Sequence, residues 1–139
     1  MTPKEGRKYI LKNLLITHAN DLYIRLATNI PAGSSDDVEL ADLTEATFPG
    51  YSHLHAVVFP DPTINGSSEG ETESPTLTWT GGGGVVTPET ITGLYVVFID
   101  PSFVEHLIFW EPFSASITIA ADGEQVQKKL KILDNNYTP

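Results

Sequence analysis

A chain of 139 residues with no cysteine has the size of one domain and holds no disulfide framework, no thiolate metal site and no cysteine nucleophile. Its net charge of −10 is unevenly spread: Lys4, Arg7, Lys8 and Lys12 stand at the start, Lys128, Lys129 and Lys131 near the end, and no Lys or Arg lies between Arg25 and Lys128. Such a body repels nucleic-acid phosphates and suits a basic protein surface or cations, while the longest apolar run, Leu94 to Ile99, falls far short of the roughly 18 residues that cross a bilayer.

In chain order, the first segment reads as a helix. Thr2 can cap it, Pro3 suits the first helical position, and Glu5 follows Thr2 at capping-box spacing. Ile10, Leu11, Leu14 and Leu15 then share one arc, which makes residues 1–16 an amphipathic helix or arm with a basic outer side. The interruptions at Asn13, His18 and Asn20 leave no signal-peptide pattern, so a soluble chain is expected. Beyond them the period becomes two: Leu22, Ile24 and Leu26 alternate with Tyr23, Arg25 and Ala27, as a half-buried strand requires. Strand character recurs at 53–59, 76–80, 91–100, 106–113 and 116–133, the last with Asp122-Gly123 as a two-residue hairpin signal. Residues 60–75, with Ile64 as the one aliphatic side chain, read as an exposed acidic loop. The whole, 1–139, is a single mainly β domain, for which an antiparallel β-sandwich after one N-terminal helix is expected, the jelly roll being one form of it.

Several stretches invite chemistry and each has a plainer reading. Thr80 to Val85, TGGGGV, has the glycines of a phosphate cradle but lacks the Lys-Ser/Thr and following helix of a P-loop, so a flexible turn is expected. Asp61 to Gly66 carries oxygen ligands at calcium-loop spacing, with Asp61, Asn65 and Glu69 as candidates, yet Thr72 stands where a bidentate Glu is needed. His53 and His55 are two apart on a strand pattern and would need a third ligand, such as His106, to hold zinc. Trp79, Trp110, Tyr95 and Tyr137 could stack a sugar ring, although tryptophans in strand patterns usually belong to the core. Asn65 and Asn136 begin glycan-acceptor triplets. No nucleophile elbow, HExxH helix or dinucleotide glycine pattern occurs. No catalytic residue, no metal and no cofactor is therefore assigned.

Five short pieces, taken as a set, resemble a group of small virion proteins of tailed bacteriophages: Thr28-Asn29, the acidic block Asp42 to Tyr51, Gly93 to Val96, Leu107 to Phe113, and Ala121 to Gly123. The likeness runs from Leu22 over most of the chain, with Leu94 in place of an aromatic residue. It implies a non-enzymatic virion protein made in the bacterial host cytoplasm, a capsid decoration or cement protein that binds the major capsid protein or another virion protein. A homo-oligomer, with trimer the expected number, and no nucleic-acid or membrane partner go with it. Lys4, Arg7, Lys8 and Lys12 are the expected docking contacts, as bases on an acidic body. A tail-associated module binding carbohydrate or a receptor is the alternative. The block from Leu40 to Tyr51 is expected to orient strands, through Asp42, Thr44 and Glu45 bonding nearby backbone and Phe48 and Tyr51 anchoring beneath.

Overall fold

The computed structural model describes residues 18–31, 38–60, 63–64 and 70–134, so the expected helix of 1–16 with Lys4, Arg7, Lys8 and Lys12 lies outside the described residues. Nine strands are described: β1 (Leu22–Ala27), β2 (Leu54–His55), β3 (Thr63–Ile64), β4 (Gly70–Glu73), β5 (Leu77–Thr80), β6 (Glu89–Ile99), β7 (Glu105–Ile119), β8 (Gln125–Lys128) and β9 (Lys131–Asp134). They form a four-stranded sheet in the order β2-β1-β6-β7, a three-stranded sheet β3-β4-β9 and a pair β5-β8. Every pairing is antiparallel, so the chain is mainly β, as its alternating pattern predicts.

The core lies on both faces of the four-stranded sheet. One cluster joins Leu22, Ile24, Leu26, Leu94 and Val96 of that sheet to Leu77 and Trp79 of β5, Val126 of β8 and Ile132 of β9. On the opposite face Ala27, Tyr95, Val97, Leu107 and Trp110 pack with Ile30 and Val38. A strand covered on both sides must be apolar at successive positions, and Leu94 to Val97 are accordingly all buried.

Two bulges fit β7 to this arrangement. Val96 pairs with Phe109 but Val97 with Leu107, so Ile108 is an extra residue. The extra residue turns Ile108 and Phe109 to the first cluster while Leu107 and Trp110 serve the second, which strict alternation would forbid. Further along, Gly93 pairs with Pro112 and Ile91 with Ile117, so residues 113–116 protrude opposite Thr92 alone. Pro112 cannot donate to the ladder. Gly93 is required here because a Cβ would run into the Glu111 carbonyl oxygen and come 2.6 Å from Ile30 Cγ1.

Four elements depart from the sequence pattern. The strand expected over 53–59 shrinks to Leu54–His55, because Ala56 turns to φ 57° and leaves the ladder. The expected hairpin at Asp122-Gly123 is not a strand pair: the turn forms, but β7 pairs with β6 and β8 with β5, so it carries the chain from one sheet to another. The last strand, expected to run unbroken to 133, divides at 129–130, where Ser74 and Leu130 exchange backbone bonds of 2.8 Å and 2.9 Å, the latter onto the Ser74 hydroxyl. Within 60–75, Thr63–Ile64 and Gly70–Glu73 are strands rather than loop. Polar Thr72 is buried there because its hydroxyl donates to the Pro60 carbonyl at 2.6 Å.

Candidate functional site

The acidic connector from Leu40 to Tyr51 lies along the edge of β1 and is bonded on every side. Ahead of it, Asp42 Oδ2 accepts the Glu39 N–H at 3.0 Å, closing a short 3-10 turn over Leu40–Asp42. The Asn29 side chain then donates to the Asp42 carbonyl at 2.8 Å and accepts the Thr44 N–H at 2.7 Å, a clamp that uses both the donor and the acceptor end of its amide. Thr44 and Ala46 continue the ladder onto Thr28 and Leu26. Glu89, at the start of β6, receives the N–H groups of Thr47 and Phe48 on one oxygen and the Thr47 hydroxyl on the other. Phe48 to Tyr51 closes as a turn with Pro49 and then Gly50 at φ 88° in its centre, and Pro49 accepts the Gly82 N–H at 2.9 Å.

At its end stands Tyr51. Its hydroxyl donates to Glu45 Oε2 at 2.6 Å and accepts the Leu26 N–H at 3.1 Å, so a phenol takes the place of a strand partner for β1. Burial, and then the bond to Glu45, push this phenol well above its ordinary pKa. Glu45 also faces Arg25 Nε at 3.8 Å, and Arg25 grips Glu105 with both terminal nitrogens, at 2.8 Å and 3.3 Å. Burial works against the Arg25 charge, but the hydrogen bonds and charge of Glu105, with that of Glu45, outweigh it and hold the guanidinium above its ordinary value. The same bond holds Glu105 below the usual carboxylate range. Burial, then the charge of Glu45, raises Tyr95, which is paired with Arg25 across the sheet.

This is the chemistry of a lock. The carboxylates of Asp42, Glu45 and Glu89 accept amides, a hydroxyl and a phenol, which fixes their geometry, and Glu105 is held by the Arg25 guanidinium. The connector therefore orients strands, as its composition suggests.

The histidines gather at one end of the four-stranded sheet. Leu22, Phe98 and His106 are in register there, and Tyr23 is opposite His55. Tyr23 stacks on His55 with ring centroids 4.5 Å apart and meets His53 edge-on at 5.0 Å. His55 Nε2 bonds the Asn20 carbonyl, and His106 Nε2 lies 2.9 Å from Asp100 Oδ2. The two strand histidines are thus brought together through an aromatic ring, whereas His106 is engaged in a separate turn. Among the described residues no group of three or more His, Cys, Asp or Glu is arranged to hold a metal ion.

The remaining candidates fall apart spatially. Trp79 and Trp110 are 2% and 0% exposed and Tyr95 is buried, so these three rings belong to the core and present no stacking face, while Tyr137 lies outside the described residues. Asp61, Asn65, Glu69 and Asn136 also lie outside them. The glycine loop does bind an anionic group, but one of its own chain: Gly84 and Val85 donate to the Asp122 carboxylate at 3.1 Å and 2.7 Å. Sequence reasoning missed Glu89, Asn29 and Asp122 as clamps. Asn29 was flagged by the Thr28-Asn29 dipeptide, but Glu89 and Asp122 work on backbone about 40 positions away, which no local pattern signals.

No family model matches the chain, and no curated protein matches its sequence. No described helix is long and apolar enough to cross a membrane.

Proposed function

We propose that the protein is a non-enzymatic virion component of a tailed bacteriophage, a decoration protein that docks on the capsid lattice and stabilises it as a symmetric oligomer. Its sheets then pack as an antiparallel sandwich, and Lys4, Arg7, Lys8 and Lys12 make the docking contacts with an acidic patch of the major capsid protein. The observation that carries this reading is the use made of the acidic block Asp42 to Tyr51. Its polar groups bind backbone and one another, with Tyr51 and Glu45 locking the edge of β1, which suits a rigid plate more than a reactive cleft. The resemblance of that same block to small phage virion proteins supplies the setting.

The test is electron microscopy of particles carrying the labelled protein, with mass spectrometry of purified virions. Label at regular lattice positions, lost when Lys4, Arg7, Lys8 and Lys12 are all changed to Gln, is expected. Absence of the chain from virions sinks the proposal, and binding that survives the fourfold change sinks the docking contacts alone.

A further inference from the structure

β7 is an outer strand of the four-stranded sheet, yet Leu107, Ile108, Phe109 and Trp110 are 1%, 0%, 4% and 0% exposed in succession. An outer strand has a neighbour on one side only, about 4.8 Å away, and its other side is a row of unpaired backbone. Four consecutive residues are closed off there only where chain lies along that free edge as well as over the two faces. The strand opens again on either side of them: Glu105 is exposed, Glu111 to Phe113 are half-buried and Ser114 to Ser116 are exposed. The cover is therefore local, about 13 Å long at strand spacing.

Among the described residues no strand pairs with this edge. On the second face, Ile30, Val38, Leu40 and Leu43 come from a connector that is tied to Thr28 and Asn29, beyond β1 and away from the outer edge. The chain closes these four residues off by itself, so the cover belongs to one of its remaining segments. Residues 32–37, 61–62, 65–69 and 135–139 hold no Leu, Ile, Val, Met or Phe. Residues 1–17 hold Ile10, Leu11, Leu14 and Leu15 on one helical arc, and residues 3–16 as a helix span about 21 Å, enough for the buried run.

The ends agree. His18, which follows that segment, meets Phe98 edge-on at 6.2 Å, and Phe98 is in register with His106, next to Leu107. At the other end burial raises the Glu111 carboxyl above its ordinary value, and the charges that oppose this are those of the amino terminus and Lys128. Phe98, His106 and Trp110, which border or belong to the run, each make a further hydrogen-bond, ionic or ring contact.

We infer that the free edge of β7 is the docking site of this chain's own residues 1–17, whose arc of Ile10, Leu11, Leu14 and Leu15 packs along Leu107 to Trp110. The arm closes an edge that would otherwise offer backbone to another chain. Resting on the proposed function, this also deepens it: Lys8 and Lys12 lie off that arc, so the arm sets both along the β7 edge and makes that side the one that meets the capsid.

The chain has no cysteine, so a nitroxide on Lys12→Cys reports the arm alone. In the full chain it is expected to broaden the amide resonances of Leu107 and Trp110 most, and those of Leu54 and His55 on the opposite edge strand least; the reverse order overturns the inference. Leu11→Asp with Leu14→Asp should lift the arm, speeding amide exchange at 107–110 about tenfold or more while Val96, on an inner strand, keeps its protection. In a Trp79→Phe background the same pair should shift Trp110 emission to the red and open it to acrylamide. Unchanged exchange and quenching overturn the inference. If Val96 loses protection too, the fold has gone, and the nitroxide pattern in the intact chain decides. Broadening at 107–110 of isotope-labelled chains mixed with separate nitroxide-bearing chains reveals an exchanged arm and overturns docking of the chain's own. No capsid enters these readouts, so absence from virions sinks the proposed function and leaves the arm docked. A docked arm with particle binding indifferent to Lys8→Gln and Lys12→Gln overturns the capsid-facing side.

Discussion

Replacing Tyr51 by Phe removes one oxygen and strands two groups, which makes it a sharp probe of the connector lock. The hydroxyl is a short donor to Glu45 Oε2 at 2.6 Å and the acceptor for Leu26 N–H at 3.1 Å. A hydrogen bond to a charged group contributes about 1.5–3 kcal/mol, and an unsatisfied buried N–H costs about 1–3 kcal/mol. Glu45 is 34% exposed and regains some water, so the two do not add in full, and a loss of about 2 kcal/mol is expected. At this chain length that corresponds to a fall in Tm of about 6–10 °C. Calorimetry gives the shift, and urea unfolding should show a lower midpoint at unchanged slope. Amide exchange localises it, because Leu26 N–H should lose protection more than Val96 N–H. Tyr23→Phe is the control: its ring packs on His53 and His55, and loss of its hydroxyl should change stability by less than about 0.5 kcal/mol. A fall below about 2 °C, with Leu26 protection intact, would refute the claim that a phenol closes the β1 edge.

Gly93→Ala drives a methyl group into the Glu111 carbonyl and the Ile30 side chain, and should destabilise by more than about 3 kcal/mol, seen as a collapse of Tm or of soluble yield; a normal melt would show that the β6–β7 bulge is plastic. Asp122→Ala leaves the N–H groups of Gly84 and Val85 without their acceptor, and should lose about 1–2 kcal/mol and speed proteolysis or amide exchange in residues 81–86 before global unfolding. Alkali should destabilise the chain. Burial raises both Tyr51 and Tyr95 above the ordinary value of 10.0, so the folded chain binds these protons more tightly than the unfolded chain does. Their contribution is fully present below about pH 10 and lost as pH rises beyond it. Phenolate absorbance should show these two of the five tyrosines ionising only as the chain unfolds; ordinary ionisation of all five in the folded chain counts against it.

The fold was legible wherever one face of a strand is buried and the other is not. Leu22, Ile24 and Leu26 alternate cleanly with Tyr23 and Arg25 and form β1 as their spacing predicts. Legibility failed where tertiary contacts set the local geometry. Asp122-Gly123 carries a hairpin signal, yet the Asp122 carboxylate is captured by Gly84 and Val85, and Gly123 N–H donates to the Gly81 carbonyl at 2.8 Å. Those bonds tie the turn to the loop after β5, and β8 follows β5 instead of doubling back on β7. The strand at 70–73 was hidden for a related reason. Its composition is that of a loop, and only the acceptors offered by Pro60 and the backbone of β9 make burial of Thr72 affordable.

The same distinction runs through the candidate site. That the block from Leu40 to Tyr51 orients strands was readable, because Asp, Thr and a Pro-Gly pair favour local backbone bonding. What it locks onto was not readable, because Arg25 of β1 and Glu89 of β6 reach it from two separate strands, with Arg25 itself held by Glu105 of β7. Their positions also decide where charge is compensated. Arg25 is the one base inside a stretch that is otherwise free of Lys and Arg, and it is set between Glu45 and Glu105 beside the histidine end. Without it, Glu105 would lose its guanidinium partner and Glu45 would be left with the Tyr51 hydroxyl and His53. One arginine thus ties the connector to β7: loss of Arg25 should loosen the β1 edge, seen as a lower Tm and weaker protection of Leu26 N–H.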